Sequence, residues 1–260
     1  MPGATQEAGA TPALLAQVAA IARAAGAVIL QVYGTDFAVL DKADASPVTA
    51  ADQQAEALIT PALQALQPSW AVVAEEAAAQ GHTPQIGRRW WLVDPLDGTR
   101  EFVSRNGEFT VNIALIEDGA PVLGVVYVPV QDLLYAGLVG QGAWLEEQGV
   151  RRDIRCRATP EAGPTLACSR SHGDEAATTA WLNGRTVAAT IKAGSSLKFG
   201  LIAAGLADVY PRLGRTMEWD TAAGHAVLRA AGGEIHDLAG AALRYGKPGY
   251  ENPHFVASGQ

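Results

Sequence analysis

Trp91-Leu92-Val93-Asp94-Pro95-Leu96-Asp97-Gly98-Thr99 is an apolar run that ends in two carboxylates set around a proline. Trp90, Trp91, Leu92 and Val93 are bulky, apolar and without helical spacing, which predicts a buried strand. Pro95 fixes its own φ and steers Asp94 away from helical geometry, so the strand is expected to stop at Asp94. Asp97-Gly98 supplies turn chemistry, and Asp97-Gly98-Thr99 opens a short helix whose first N–H groups are free. A strand end facing such a helix start can hold hard cations on its two acids and a phosphate on its N–H groups. The same residues also fit an Asp-Pro turn followed by an Asp N-cap, and on this stretch alone both readings stand.

The chain around this stretch has 260 residues, 48% of them hydrophobic, enough for a large core in one domain or two tightly joined lobes. Cys156 and Cys168 are its two cysteines, and their spacing fits neither a zinc motif nor a disulfide framework, so a reducing cytoplasm is the default. Met1 to Ala10 has no basic segment and Arg23 interrupts the apolar stretch that follows, which supports neither a signal peptide nor a transmembrane span. A net charge of −8 and a pI near 5.1 disfavour polymeric nucleic acid while leaving room for a small phosphorylated substrate drawn in by local cations.

Apolar positions from Leu14 to Val32 recur at helical spacing up to Gly34, predicting an amphipathic first helix. Lys42 to Pro47 reads as a loop, and a second helix is expected from near Thr49 to about Leu66, bent at Pro61, with Asp52 as a capping-box acid. Trp70 to Ala74 is a short strand delivering Glu75 and Glu76. Val111–Glu117, Pro121–Val128, Leu133–Val139 and Ala143–Glu146 form a strand meander separated by turn residues, giving an α+β half. From Thr165 onwards strands are expected at 166–168, 186–191 and 207–210 and helices at 174–182, 195–204 and 220–231, an α/β pattern.

Four acids thus fall where the chain changes direction: Glu75, Asp94, Asp97 and Asp220. Converging within ~5 Å, each like-charged pair costs about 3 kcal/mol at an effective dielectric of 20, and bound cations offset that repulsion. Four carboxylates balance two Mg²⁺, and a phosphate adding roughly two negative charges makes room for a third ion. Thr99 and Asp52 supply a hydroxyl–carboxylate pair that can orient a water. Taken singly, Glu75, Glu76 and Asp220 read equally well as caps or surface acids.

Glu75-Glu76, Asp94-Pro95-Leu96-Asp97-Gly98-Thr99 and Trp219-Asp220-Thr221-Ala222-Ala223 resemble, in order and spacing, the motifs of the inositol monophosphatase superfamily of Mg²⁺-dependent, lithium-sensitive phosphatases, over roughly residues 14–258. Lys42-Ala-Asp-Ala-Ser-Pro-Val-Thr-Ala-Ala-Asp52, Thr99-Arg-Glu-Phe-Val-Ser-Arg-Asn-Gly-Glu-Phe109 and Gly194-Ser-Ser-Leu-Lys-Phe199 resemble its 3'(2'),5'-bisphosphate nucleotidase branch. That branch hydrolyses 3'-phosphoadenosine 5'-phosphate to AMP and phosphate, clearing a by-product of sulfate assimilation. The resemblance implies a layered αβαβα sandwich of two closely joined lobes. The first, residues 1–155, would be α+β and carry most metal ligands; the second, residues 156–260, would be α/β and carry substrate contacts and the last ligand.

By the same resemblance, Glu75, Asp94 and the Leu96 carbonyl hold one Mg²⁺, and Asp94, Asp97 and Asp220 hold a second. Catalysis falls to Thr99, oriented by Asp52, with Glu75, while the Gly98 and Thr99 N–H groups hold the phosphate. His172, Ser195, Lys198 and Arg212 match positions that contact the nucleotide, Lys198 and Arg212 supplying charge for a second phosphate. Lys198 also fits a solvated helix face, Arg212 a loop salt bridge and His172 a turn. Two departures from common relatives, Ala74 before Glu75 and Arg100 in place of lysine, change little. Glu101 is read as orienting a water or a basic residue. Inositol-1-phosphate, histidinol phosphate and fructose-1,6-bisphosphate hydrolysis share the same metal chemistry, and a non-catalytic nucleotide sensor would have no use for the Thr99–Asp52 pair. Peripheral attachment to the inner membrane, seen in some relatives, stays open, as does the oligomeric state.

Overall fold

The computed structural model describes residues 9–35, 39–41, 47–170 and 175–260, with backbone alone at 39–41 and 47–49. Of the loop expected over 42–47, residues 42–46 lie outside the described residues, as does His172, while Pro47 opens a short strand instead. Helix α1 (Pro12–Tyr33) starts where Thr11 accepts the Leu14 N–H at 3.1 Å and Pro12 occupies a first-turn position that needs no donor. It is long and apolar enough to cross a membrane by length and composition. Eight of its residues are nevertheless buried, and Arg23 on its other face pairs with Asp132 at 2.7 Å and Glu146 at 2.5 Å. After β1 (Val39–Asp41) and β2 (Pro47–Thr49), α2 (Ala50–Leu66) packs against α1.

A seven-stranded sheet follows in the order β3-β4-β5-β6-β7-β8-β9. Its strands are β3 (Ala71–Ala74), β4 (Arg89–Asp97), β5 (Thr110–Glu117), β6 (Ala120–Val128), β7 (Leu133–Leu138), β8 (Gly142–Glu147) and β9 (Val150–Ile154), with short helices α3 (Glu75–Ala79) and α4 (Thr99–Val103) after β3 and β4. The meander expected over 111–146 is β5 to β8, and the antiparallel run extends one strand further on each side, from β4 to β9. Edge strand β9, Val-Arg-Arg-Asp-Ile, escapes a hydrophobicity reading because it is exposed and charged.

The second half contributes β10 (Thr165–Ser169), α5 (Glu175–Leu182), β11 (Ala189–Ala193), α6 (Leu197–Ala203), β12 (Val209–Arg212), α7 (Glu218–Ala230), β13 (Glu234–Asp237) and β14 (Phe255–Ser258). The five-stranded sheet has the order β11-β10-β12-β14-β13 and is mixed rather than the parallel sheet that a strand–helix alternation suggests. Strand β14 runs antiparallel to both β12 and β13. The two strands of this half that were not expected, β13 and β14, are four residues long, and β13 carries a single apolar side chain in Glu-Ile-His-Asp.

Stacking α1 and α2, the seven-stranded sheet, α6 and α7, the five-stranded sheet, and α5 gives the expected αβαβα order. One core cluster joins α1 and α2 to the large sheet, and a second fills the space between the two sheets around α6 and α7. Helix α7 lies close against β6 and β7 because two glycines make way for it. A Cβ on Gly124 would sit 2.3 Å from the Ala223 carbonyl oxygen, and one on Gly137 would sit 2.7 Å from the Val227 Cα.

Candidate active site

Strand β4 alternates as a doubly covered strand should, with Trp91 and Val93 in the cluster under α1 and α2 and Trp90 and Leu92 in the cluster around α7. Asp94 continues that alternation toward α7. The strand does not stop there: it passes through Pro95 to Asp97, with a register shift against β5 between Asp94 and Asp97. Pro95 is tolerated because it falls in this irregularity, where no ladder donor is required of it. The shift also inverts the phase, since Leu96 joins the cluster of Trp91 and Val93. Two residues three apart in a regular strand would face opposite sides; the shift turns Asp97 to the side of Asp94.

Asp94 is 1% exposed, its Oδ1 accepts the Leu96 N–H at 3.0 Å, and its Oδ2 is buried without a hydrogen-bond partner among the described residues. Burial holds the Asp94 carboxyl well above the usual range, and the charges of Glu75, Asp97, Asp220 and Asp52 push it further. Asp220, in the first turn of α7, reaches back to the Met217 N–H at 2.8 Å. Its carboxyl is raised by burial, Asp97 and Glu75 despite that donor. Burial raises Asp97 as well, opposed by Lys198 and Ser196. These directions mark a surplus of negative charge that a cation would relieve.

Glu75 is the first residue of α3, and α2 fixes that helix from below: Glu56 accepts the Glu76 and Ala77 N–H groups at 2.8 and 2.9 Å. Asp52, one turn before Glu56, is buried. Thr99 opens α4 behind Gly98, whose φ of +93° favours glycine. A Cβ on Gly98 would lie 1.9 Å from the Ser195 hydroxyl oxygen, so a side chain there would collide with the other half of the site.

A cavity of about 370 Å³ collects Glu75, Asp94, Leu96, Asp97, Gly98, Thr99, Ser195, Lys198, Arg212 and Asp220 in its lining. Among the described residues, no three His, Cys, Asp or Glu side chains close around one point as a finished metal cage. The oxygen-only donor set and the orphaned Asp94 Oδ2 nevertheless fit a hard divalent cation.

Lys198 is buried on α6 rather than on a solvated helix face. Its ammonium donates to the Ala193 carbonyl at 3.2 Å and to the Ser195 carbonyl, and lies 5.1 Å from the Tyr210 ring. Burial lowers it to about 8 against the opposing pull of Asp97. Arg212 ends β12 and donates to the Arg215 carbonyl at 2.9 Å. Ser195 precedes α6 instead of starting it, because its φ of +48° is left-handed, and its hydroxyl donates to the Asp97 carbonyl at 2.8 Å.

Sequence reasoning missed Glu56, Asn112, Ser196 and Arg215. Asn112 had a legible signal, a lone amide inside the apolar run Val111 to Ile116, and it sits opposite Asp94 in the β4–β5 register. Arg215 lines the cavity from a loop and pairs with Glu251 at 3.3 Å, for which no local pattern exists.

The layered αβαβα fold, with acids gathered at a broken strand end and at a facing helix start, is that of a class of phosphatases, and the family model of the inositol monophosphatase family matches residues 11–259. The chain belongs to the inositol monophosphatase family. It is 50% identical over 249 residues to the 3'(2'),5'-bisphosphate nucleotidase CysQ of Escherichia coli K12, covering 94% of this chain and 99% of that one. The Haemophilus influenzae CysQ is 32% identical over 95% of this chain and 93% of its own. The solved structure of CysQ from Bacteroides thetaiotaomicron superimposes with a TM-score of 0.79 at 36% identity, covering 95% and 97% of the two chains.

Proposed function

We propose that this protein is a Mg²⁺-dependent 3'(2'),5'-bisphosphate nucleotidase that hydrolyses 3'-phosphoadenosine 5'-phosphate to AMP and phosphate, clearing a by-product of sulfate assimilation. The observation that carries the reading is one cavity lined both by the acids Glu75, Asp94, Asp97 and Asp220 and by the cations Lys198 and Arg212. A monophosphate ester has no second anionic group for those cations, whereas a bisphosphate does. The similarity to nucleotidases at 50% identity supports the same choice.

Glu75, Asp94 and the Leu96 carbonyl would hold one Mg²⁺, and Asp94, Asp97 and Asp220 a second, with a third at higher occupancy when phosphate is present. Bound there, the ions supply Lewis-acid polarisation of the phosphoryl oxygens and a lowered water pKa. Asp52 orients the Thr99 hydroxyl, which in turn aligns the attacking water, and Glu75 borders that water. The Gly98 and Thr99 N–H groups hold the reacting phosphate, while Lys198, Arg212 and Ser195, with His172, hold the remainder of the nucleotide. We read residues 1–155 and 156–260 as two lobes closing on this cavity, in a lithium-sensitive cytoplasmic enzyme.

Phosphate release from 3'-phosphoadenosine 5'-phosphate, inositol-1-phosphate and fructose-1,6-bisphosphate, each with Mg²⁺ and with added Li⁺, tests the reading. The nucleotide is expected to give the highest kcat/KM, with Li⁺ inhibition. A clear win for the inositol ester would reassign the branch.

A further inference from the structure

Asp97 and Asp220 come from different layers, one at the end of a strand in the large sheet and the other on α7. Two buried residues that do not line the cavity connect them. Ser196 is 1% exposed, and its hydroxyl lies 2.6 Å from the Asp220 carbonyl oxygen and 3.0 Å from Asp97 Oδ2. Asn112, also 1% exposed, donates through Nδ2 to the Ser196 hydroxyl at 3.0 Å and reaches Asp97 Oδ2 at 3.5 Å. The hydroxyl has one proton for its two acceptors, so the amide hydrogens complete the set. The amide must point this way, because the reverse would set its carbonyl oxygen against a carboxylate.

We propose that Asn112 and Ser196 are positioning residues that hold the Asp97 carboxylate at a fixed distance from α7, and so set the affinity of the ion shared by Asp97 and Asp220. The inference rests on the proposed role of these acids as ligands. Without this hub of hydroxyl and amide, Asp97 keeps the Ser196 backbone N–H and the attraction of Lys198 but loses the two side-chain donors that tie its Oδ2 to α7 and β5, and its carboxylate is freer to turn away from the like charges around it. Outer partners of this kind are worth about 10- to 100-fold in metal affinity. Asn112 and Ser196 thus lock the ligand geometry across the boundary between the two halves of the chain.

Calorimetric titration with Mg²⁺ of the wild type, Ser196→Ala, Asn112→Val and Asp220→Asn, with thermal unfolding measured with and without Mg²⁺, tests this. Ser196→Ala and Asn112→Val are each expected to weaken, about 10- to 100-fold, the binding event that Asp220→Asn removes. The other event should stay near wild type, the Mg²⁺-induced rise in Tm should shrink, and Ser196→Thr should recover affinity that Ser196→Ala loses. Ser196→Ala removes one atom and is expected to fold even if Asn112→Val does not. Unchanged Mg²⁺ affinity in Ser196→Ala, or a Tm loss equal with and without Mg²⁺, overturns the positioning role. If Asp220→Asn leaves the titration untouched, the ligand assignment itself falls; if Asp220→Asn loses the event and Ser196→Ala keeps it, only the hub is wrong.

Discussion

The acidic wall of the cavity and its basic wall are built by different means. Glu75, Asp94 and Asp97 come from strand and helix ends between residues 75 and 97, set by Glu56 under α3 and by the register shift of β4 against β5, with Asp220 joining from α7. Lys198, Arg212 and Arg215 come from a helix, a strand end and a loop of the second half, and each is tied to neighbouring carbonyls or to Glu251. The acidic wall is a compact motif whose repulsion is stored in buried carboxyls. The basic wall is a product of tertiary docking, which is why substrate choice varies more freely than metal chemistry on one fold.

The sharpest way to break the comparison is Asp94→Asn. Turnover should fall at least about 100- to 1,000-fold, while Tm in Mg²⁺-free buffer rises by a few degrees, since an uncompensated buried acid is removed. A Tm that falls instead would mean that the acids are not mutually strained. Gly98→Ala strikes where the two walls meet: the Cβ meets Ser195 and demands a left-handed backbone, costing about 1–2 kcal/mol. A roughly tenfold or greater loss of kcat/KM is expected, read in steady-state assays.

On the basic wall, Lys198→Met should raise KM for the bisphosphate about tenfold and spare kcat, as loss of one charge-assisted hydrogen bond implies. The Lys198 ammonium titrates near 8 instead of 10.5, so in the wild type KM should climb as pH passes through 8, and the variant should lack that climb. The sign for stability is opposite. Because burial lowers the folded pKa, the charged ammonium weighs against folding most below pH 8, and that weight is relieved between 8 and 10.5. Lys198→Met should therefore gain more Tm at pH 7 than at pH 10.

The smallest functional effect belongs to Asp208, away from both walls. It accepts two Arg157 bonds at 2.8 Å and the Thr165 N–H at 2.6 Å. The Arg157 bonds hold its carboxyl below the usual range. Asp208→Asn should cost about 2 kcal/mol at pH 7 with near-normal kcat/KM. Because the folded pKa is depressed, that stability is present above the unfolded value near 3.8 and disappears as pH falls below it. Denaturant unfolding at pH 7 and pH 3 checks both parts.

The first helix, the meander and the acids at chain reversals were legible because apolar periodicity and proline or glycine punctuation are local. The passage of β4 through Pro95 was not, since a proline normally ends a strand unless a bulge absorbs it, and the bulge is set by pairing with β5. Strands β9 and β13 hid behind charged residues, and Ser195 broke the expected start of α6 through a backbone angle that no serine announces. Ser196 stood inside a recognised motif, yet its partners lie 84 to 99 residues earlier and 24 later.

The glycine seam under α7 works as a spacer of fixed thickness. Gly124 and Gly137 leave the helix no slack against the sheet, so Asp220 inherits its depth from two residues that never meet substrate. A single methyl group at position 124 would act as a shim, lifting α7 off the sheet and widening the gap between the acids. Evolution can retune the basic wall loop by loop, but any change in gauge along this seam is transmitted straight to the acidic wall. Sequence drift should therefore be slowest at positions that look chemically inert.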